Sequence, residues 1–477
     1  MKNYETKEIR NIAIVGHGGE GKTTLTEAML FNAGGTERFG RVEDGTTTTD
    51  YDPEEIKRKI SISSALAPLE WNNHKINVID VPGYFDFVGE MLGALRVVDS
   101  AVLVVGAVSG LMVGTEKAWD YCESHVIPRM VFINQMDREN ANFSKVLDQL
   151  KDKYGTSIAP FQIPIMEGGE FKGFVDALRM NAKIFDGKNL KDAPIPESMM
   201  DEVETIRTML VEAAVETSEE LMEKYFEGEE ISIEELTSAI RQGVLDGDIV
   251  PILCGSAVNN VGVDVLLDEV VNFLPSPCDR PSFKGTNPKT GEEIRREMKV
   301  DEPFSALVFK TIVDPFVGKL SIFKVMSGEL NSGATVYNAN KDVNEKTTAL
   351  YMLKGKKQNQ ITKITAGDIG AFAKLQQTET GDTLCDVASP IIYKGIEFPE
   401  PAISMAIEVE KEGEEDKVFG GLNRMAEEDP TFRIETNTET NQTLISGVGE
   451  MQLDVIASRL KSRFGVGAMY KDPKVAY

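Results

Sequence analysis

The feature that most constrains the fold is a glycine-rich octapeptide near the start of the chain, of the form G-x-x-x-x-G-K-[ST]. It follows a short apolar stretch at residues 11–15 and precedes a stretch with helical periodicity at residues 22–31. A strand, a glycine-rich turn and a helix in this order predict a P-loop, whose backbone N–H groups and helix amino terminus bind phosphate. The octapeptide consists of Gly16, His17, Gly18, Gly19, Glu20, Gly21, Lys22 and Thr23, and Thr24 follows it.

Side chains in and after this loop predict how a bound triphosphate is held. Lys22 is expected to reach the β- and γ-phosphates, and the Thr23 hydroxyl to ligate Mg²⁺. Asp80 ends a second apolar stretch and opens a D-x-x-G sequence, where a Walker-B aspartate belongs. We expect Asp80 to hold Mg²⁺ through water and the Gly83 N–H to contact a γ-phosphate. The octapeptide alone does not distinguish ATP from GTP.

The base is predicted from an N-x-x-D sequence that follows an apolar stretch at residues 130–133. The Asp137 carboxylate can accept the two donors on N1 and N2 of guanine, whereas adenine presents an acceptor at N1. Asn134 and Gln135 complete this segment. A later segment is expected to offer backbone N–H groups to the guanine carbonyl. It consists of Gly255, Ser256 and Ala257. The sequence therefore predicts a site for GTP and GDP.

The pattern of apolar, acidic and turn-forming residues changes along the chain and predicts its domains. The first 160 residues alternate apolar strands with helices, which is typical of a parallel α/β sheet covered on both faces. An acidic stretch then predicts a helical or α+β insert, and short alternating strands from residue 303 predict a β-barrel. The final part predicts a small α+β, ferredoxin-like domain. The expected boundaries are 1–280 for the P-loop GTPase domain, with its insert at about 161–247, then 281–400 and 401–477.

Composition excludes several classes of protein. The chain has 51 basic and 77 acidic residues and a formal charge of −26, which argues against nucleic-acid binding over the whole surface. Four scattered cysteines and three histidines argue against a disulfide framework and a zinc site. The amino terminus is polar, and no apolar stretch is long enough for a membrane span. We therefore expect a soluble, cytoplasmic protein.

Beyond these motifs, the chain resembles elongation factor G from about Ile9 to its last residue. The segment from residue 42 to Ser64 resembles the first switch of that family. The barrel carries similar stretches at residues 314–318 and 380–386, and the third domain carries them at 422–432 and 449–454. These barrel and third-domain stretches distinguish the chain from small signalling GTPases.

The resemblance implies a ribosome-associated factor that hydrolyses GTP to GDP and phosphate during translocation-type steps, with stimulation by the ribosome. It implies that Thr23, Ser61 and Asp80 hold Mg²⁺, and that Lys22, Gly83 and Tyr84 take part in hydrolysis. It also implies a monomer whose acidic insert faces the ribosomal stalk protein. Because the family continues with further domains that enter the decoding site, the sequence is expected to be truncated at its carboxyl end and unable to translocate alone.

At four positions the sequence departs from the family pattern. Tyr84 replaces a switch histidine, Gln135 a lysine, Gly19 an aspartate and Ser61 a threonine. These replacements indicate a divergent paralogue. Tyr84 stands where the attacking water is positioned, and a phenol is a weak base at neutral pH. It still makes a hydrogen bond, so we expect hydrolysis to continue at a rate set by how well the phenol orients water.

Two other functions remain open at this point. The first is a GTP-binding, ribosome-associated factor in which hydrolysis is slow or dispensable, and residue 84 is the feature that separates it from the leading hypothesis. The second is a tetracycline-resistance-type ribosomal protection protein, which shares the same front domains. The sequence does not decide whether the factor translocates, recycles or protects ribosomes.

Overall fold

The computed structural model describes residues 1–280, 282–314 and 317–475. Pro281, at the predicted start of the barrel domain, lies outside the described residues. So do Pro315 and Phe316 of the predicted barrel motif at 314–318, and the last two residues of the chain.

The first 160 residues form alternating strands and helices, as the spacing of apolar residues predicts. The strands are β1 (Ile9–Val15), β2 (Ala65–Trp71), β3 (His74–Asp80), β4 (Ser100–Gly106), β5 (Arg129–Asn134) and β6 (Ile158–Pro160). The helices are α1 (Lys22–Asn32), α2 (Pro53–Arg58), α3 (Val88–Val97), α4 (Val113–Ser124) and α5 (Phe143–Tyr154).

The insert begins with an antiparallel sheet and continues with helices, after which the α/β pattern resumes. Its strands are β7 (Gln162–Glu167), β8 (Glu170–Asp176), β9 (Asn181–Phe185) and β10 (Leu190–Ala193), paired in the order β10-β9-β8-β7. Its helices are α6 (Met200–Val215), α7 (Glu219–Phe226) and α8 (Ile233–Leu245). The closing elements are β11 (Val250–Cys254) and α9 (Val263–Phe273).

The main sheet has the strand order β2-β3-β1-β4-β5-β11-β6. The predicted parallel pairing holds for β1 with β3 and β4, whereas the edge strand β2 runs antiparallel to β3. Asn72 and Asn73 join β2 to β3 with positive φ angles of 46° and 58°. Such angles are those of the two-residue turns that connect antiparallel strands. Because β1, β3, β5 and β11 are parallel, the segments that follow them lie at one edge of the sheet.

The region after residue 280 that we call the barrel domain consists of antiparallel strands. The strands are β12 (Phe283–Thr286), β13 (Glu293–Arg296), β14 (Ser305–Asp314), β15 (Gly318–Ser327), β16 (Glu329–Asn331), β17 (Thr335–Asn338), β18 (Val343–Lys346), β19 (Leu350–Lys354), β20 (Lys357–Ile361), β21 (Lys363–Thr365), β22 (Ile369–Ala373), β23 (Thr383–Cys385) and β24 (Ile392–Tyr393). The largest sheet has the order β18-β17-β23-β14-β15-β22-β19-β20. Phe323 and Phe372 stack in its core with ring centroids 4.3 Å apart.

The last region, which we call the third domain, has the predicted order of strand, helix, strand, strand and helix, and a further strand follows. Its elements are β25 (Ile403–Val409), α10 (Glu415–Glu428), β26 (Arg433–Asn437), β27 (Gln442–Gly447), α11 (Glu450–Phe464) and β28 (Ala468–Lys471). The strands pair in the order β26-β27-β25-β28. Leu453, Ile456 and Leu460 of α11 are buried, as their helical spacing predicts.

By packing, the chain divides into two compact units. The first unit comprises Met1–Asp50, Ala65–Gly83 and Val98–Asp279. The second comprises Tyr51–Ser64, Tyr84–Val97 and Arg280–Tyr477, so that α2 and α3 pack with the barrel and third domains. The domain boundaries drawn from the sequence, at residues 280 and 400, stay predictions. Within the described ranges, every helix is too short or too polar to cross a bilayer.

Candidate nucleotide site

The octapeptide forms a glycine-dependent turn between β1 and α1. Gly16 and Gly21 have φ angles of +143° and +90°, in the region that disfavours side chains. A Cβ atom on Gly16 would lie 2.5 Å from the carbonyl oxygen of Val104, and one on Gly21 would overlap the Asn134 side chain. The loop therefore requires glycine at both positions, as a P-loop does.

Lys22 lies within this loop and is 6% exposed. Its Nζ donates to the carbonyl oxygen of His17 at 2.7 Å. Burial lowers the pKa of Lys22 to about 8, although the carboxylates of Asp80, Glu20 and Asp50 oppose this shift. A buried ammonium favours an anionic partner that supplies several oxygen acceptors. The loop thus has the electrostatic character of a phosphate site.

Asp80 lies at the end of β3 and meets two hydroxyl groups. Thr23 Oγ1 and Thr49 Oγ1 donate to its Oδ2 atom at 2.8 Å and 2.7 Å. Its Oδ1 atom is buried and, among the described residues, has no hydrogen-bond partner. Burial and the nearby carboxylate of Asp50 raise the pKa of Asp80 to about 7.

A buried carboxylate oxygen beside a threonine hydroxyl fits a hard divalent cation such as Mg²⁺. Thr23 would hold the cation directly and Asp80 through water, and the cation would neutralise charge on the phosphates. Within the described ranges, no group of three or more His, Cys, Asp or Glu side chains could hold a metal ion.

The sequence did not reveal Thr49 and Asp50, which are 1% and 4% exposed. They end a run of four threonines and an aspartate at residues 46–50, which has neither helical nor strand periodicity. Only the tertiary fold brings this segment to Asp80. The run of threonine hydroxyls followed by the Asp50 carboxylate was the signal in the sequence that could have indicated a polar site here.

Gly83 and Tyr84 are adjacent in sequence but belong to different units. A Cβ atom on Gly83 would lie 2.5 Å from the Gly18 N atom and would overlap Lys22 Nζ, so the Gly83 backbone lies against the P-loop. Tyr84 precedes a 3-10 turn, Phe85–Phe87, in the second unit and is 39% exposed. Ser61 also belongs to the second unit and is half-buried. The metal role of Ser61 and the catalytic role of Tyr84 stay predictions.

Asn134 joins the segments predicted to bind the base to the P-loop. Its Nδ2 atom donates to the Glu20 carbonyl oxygen at 2.9 Å. Its Oδ1 atom accepts from the Ala257 N–H at 2.9 Å. Gln135 has a φ of 65° and donates from Nε2 to the Gly19 carbonyl oxygen at 3.1 Å. Gln135 therefore retains a direct contact with the P-loop.

Asp137 is exposed, and its orientation is fixed by a buried neighbour. Ser256 Oγ donates to Asp137 Oδ1 at 2.7 Å, and Ser256 is fully buried. Met136 N donates to the Gly255 carbonyl oxygen at 3.2 Å, which joins the two base segments directly. An exposed carboxylate whose orientation is fixed by a hydrogen bond from Ser256 can accept hydrogen bonds from two parallel N–H donors, as guanine recognition requires.

Two side chains of the P-loop support the loop from within the protein, which the sequence did not indicate. The Glu20 carboxylate is 3% exposed, and both of its oxygens lie 2.8 Å from Ser109 Oγ, which donates to them. His17 accepts a hydrogen bond from the Gly114 N–H at its Nδ1 atom, at 3.0 Å. These contacts engage the Glu20 carboxylate and one ring nitrogen of His17 in supporting the loop.

Three family models match successive parts of the chain. The Elongation factor Tu GTP binding domain matches residues 7–276, Elongation factor G domain 2 matches 303–387, and Elongation Factor G, domain III matches 398–472. A crystal structure of a protein from Thermus thermophilus is similar over 98% of this chain and 68% of that one, with 34% identity and a TM-score of 0.89.

The chain belongs to the elongation factor G family of translational GTPases. The predicted fold class is thereby confirmed: a GTPase domain with an α/β sheet, followed by β-rich and α+β domains. Membership implies guanine-nucleotide binding, and the GTPases of this family generally require Mg²⁺. Factors of the elongation factor G family act on the ribosome.

Proposed function

We propose that this protein is a ribosome-associated translation factor that hydrolyses GTP to GDP and phosphate in translocation-type steps, with Mg²⁺ and with stimulation by the ribosome. The observation that carries the proposal is the position of Asn134. Its amide contacts both the P-loop and the Gly255–Ser256–Ala257 segment, at 2.9 Å in each case. These two contacts support a single site that recognises both the phosphates and the base.

Guanine specificity follows from the carboxylate that Ser256 holds at the exposed edge of this site. With ATP, the Asp137 carboxylate would face an acceptor and lose both expected hydrogen bonds. A polar pocket built for one pattern of donors can reject the wrong base by roughly 10⁴-fold. We therefore assign GTP rather than ATP as the substrate.

Each group then has a distinct role in hydrolysis. Lys22 and the Gly83 N–H bind the terminal phosphates, and Thr23 with Asp80 holds Mg²⁺. Ser61 supplies a further hydroxyl to the cation. Tyr84 orients the attacking water through its phenol, because phosphoryl transfer depends mainly on positioning and charge stabilisation.

For partners, we assign the ribosome and its stalk protein, with the factor acting as a cytoplasmic monomer. The insert supports a protein-docking role because it combines acidic residues with exposed apolar side chains. Phe226 and Met209 are 78% and 50% exposed. Exposed apolar side chains within a charged rim are typical of protein interaction sites.

Two measurements test the proposal. Titration calorimetry with Mg²⁺ should show GTP and GDP binding far tighter than ATP, and equal affinity for ATP would refute the guanine assignment. Turnover of GTP should rise strongly when ribosomes are added. If ribosomes leave turnover unchanged, the protein is instead a GTP-binding factor in which hydrolysis is slow or dispensable.

A further inference from the structure

Helix α3 follows Tyr84 after the short Phe85–Phe87 turn and packs closely on the barrel and third domains. A Cβ atom on Gly93 would lie 2.9 Å from the carbonyl oxygen of Phe309 in β14. One on Gly89 would lie 2.7 Å from Cγ2 of Thr431. Real Cβ atoms do not approach other atoms so closely, so glycine at these positions permits the contact. The backbone of α3 therefore approaches β14 and the third domain closely.

Glu90, in the first turn of α3, accepts hydrogen bonds from two other segments of the second unit. Lys310 Nζ of the barrel donates to Glu90 Oε2 at 2.7 Å. The N–H and the hydroxyl of Ser64 donate to the same oxygen at 3.0 Å and 2.8 Å. The side chains of Lys310 and Glu90 are 10% and 20% exposed. Burial acts to raise the pKa of Glu90, but Lys310 and Ser64 outweigh it and hold the pKa below its ordinary value.

The other end of α3 is held by a second barrel lysine. Lys324 is 2% exposed, and its Nζ donates to the carbonyl oxygen of Val97, the last residue of the helix, at 2.7 Å. A cation at this end also interacts favourably with the helix dipole. Arg96 donates to the Lys394 carbonyl oxygen at 2.7 Å. Both ends of α3 are thus fixed by cationic side chains.

The short segment between Tyr84 and α3 is fixed as well. The Asp86 carboxylate accepts a hydrogen bond from the Gln452 N–H at 3.1 Å. Phe87 packs in a small apolar cluster with Ile62 and Val455. Ser64, which contacts Glu90, follows Ser61 by three residues. Glu90 and its partner Ser64 are therefore close in sequence to Tyr84 and Ser61, the two residues of the second unit to which roles in hydrolysis are assigned.

We propose that Lys310 is a positioning residue for GTP hydrolysis. By holding Glu90, it keeps the helix after Tyr84 and the segment after Ser61 in one arrangement. This inference rests on the proposed function. A purely structural ion pair would change stability without changing the rate of hydrolysis in the folded protein, so denaturant unfolding of each variant is measured beside its rate.

The test is single-turnover GTP hydrolysis on saturating ribosomes, with GTP affinity measured by calorimetry. Lys310→Met keeps the length of the side chain and removes its charge. We expect the plateau rate to fall by about tenfold or more, because small displacements of catalytic groups have large kinetic effects. We expect GTP affinity to stay within about twofold, because no nucleotide contact changes. Lys310→Arg should restore most of the rate.

Two further variants make the result specific. Lys363→Met removes an exposed barrel lysine that pairs with Glu329 at 2.8 Å, and it should leave the rate unchanged. Ser64→Ala removes one hydroxyl donor to Glu90 and carries little risk of misfolding. It should lower the rate by a smaller factor, and its effect should not add to that of Lys310→Met. Ser64→Ala therefore decides the matter if Lys310→Met does not fold.

The outcomes separate this inference from the proposed function. If wild-type protein turns over no GTP on ribosomes, the proposed function fails and the inference fails with it. If wild type is active and both folded Lys310→Met and Ser64→Ala hydrolyse GTP at the wild-type rate, only the inference fails. It also fails if GTP affinity falls in parallel with the rate.

Discussion

In the first unit, the side chains assigned to the nucleotide contact one another directly, whereas in the second unit Ser61 and Tyr84 lie in segments held by the barrel and third domains. Within the first unit, Asn134 and Gln135 link the P-loop to the base segments, and Ser256 links the two base segments to each other. Lys310 and Gln452 hold the segments around Ser64 and Asp86 within the second. From this difference we infer that base recognition in the first unit acts on nucleotide affinity, whereas Tyr84 in the second unit acts on the rate of hydrolysis.

The two units also differ in how their buried charges are balanced. In the first unit, the pKa of Lys22 is lowered to about 8 and that of Asp80 is raised to about 7, both chiefly by burial. In the second unit, Asp52 pairs with Arg463 at 2.8 Å and with Arg459 at 3.4 Å. Burial opposes its ionisation, but the two arginines hold the pKa of Asp52 below its ordinary value. The candidate phosphate site of the first unit therefore gains from a charged ligand, whereas the charge of Asp52 in the second unit is balanced by two arginines.

The largest expected effect is that of Lys22→Ala, which tests the first unit alone. The variant should lose triphosphate binding almost completely, by roughly 10³-fold or more, because the buried cation at the phosphates is removed. Calorimetry with GTP measures this directly. Lys145→Ala, which removes an exposed lysine of α5, is the control and should bind GTP as wild type does. Unchanged GTP affinity in Lys22→Ala would contradict the phosphate assignment.

Asp137→Asn should change which base the first unit accepts. Replacing one carboxylate acceptor by an amide donor should weaken GTP binding by roughly 10³-fold and improve binding of xanthosine triphosphate. Competition with a fluorescent nucleotide measures both affinities. Asp148→Asn changes another exposed aspartate and should have no effect. If Asp137→Asn leaves the preference for guanine intact, the base is read by other groups.

Tyr84→Phe tests the second unit and should leave the affinity for GTP nearly unchanged. The loss of one positioned hydrogen bond in a transition state slows turnover by a factor on the order of 10². Tyr84→His should retain the rate or raise it, because imidazole is the usual group of the family. Single-turnover hydrolysis on saturating ribosomes measures the change. Equal rates for wild type and the phenylalanine variant would mean that the tyrosine only packs.

Glu90→Gln gives the smallest expected effect, and its pH dependence identifies the ion pair. The folded pKa of Glu90 is lowered, so its ionisation stabilises the fold above the ordinary pKa of about 4.3 and stops doing so as the pH falls through the folded value. Relative to wild type, the variant should lose about 1–3 kcal/mol of unfolding free energy at pH 7.

Denaturant unfolding at several pH values checks this expectation. The loss should be constant between about pH 7 and pH 5 and should shrink below about pH 4. Glu329→Gln, which breaks an exposed pair with Lys363, should show neither effect. A loss that persists unchanged at low pH would show that the carboxylate charge is not what stabilises α3.

Much of the fold could be predicted because its elements have regular apolar spacing. The strands that end at Val15, Asp80 and Asn134 were predicted, and so was the helix that contains Leu453 and Leu460. Strand β2 was not predicted. It runs antiparallel to β3, because the turn at Asn72–Asn73 joins the two strands instead of a crossover helix. The strands of the insert were also not located individually, since their hydrophobic alternation is weak.

The candidate site could be predicted where function depends on backbone geometry within a short motif. Glycines of the P-loop and the N-x-x-D segment belong to this class. The segment of Thr49 and Asp50 was assigned to the first switch by resemblance, but their approach to Asp80 could not be predicted, because a loop without periodicity reaches Asp80 only through the tertiary fold. Nor could the sequence show that α3 packs with the second unit. That arrangement depends on Lys310 and Lys324, more than two hundred residues away in the chain.

The most direct test of the division between the units is single-turnover hydrolysis on saturating ribosomes over a range of GTP concentrations. It yields the half-saturating concentration and the plateau rate in one experiment. We predict that Asp137→Asn raises the half-saturating concentration and leaves the plateau near the wild-type value, whereas Tyr84→Phe lowers only the plateau. If Tyr84→Phe raises the half-saturating concentration, or if Asp137→Asn lowers the plateau at saturating GTP, affinity and hydrolysis are not set by separate groups of residues.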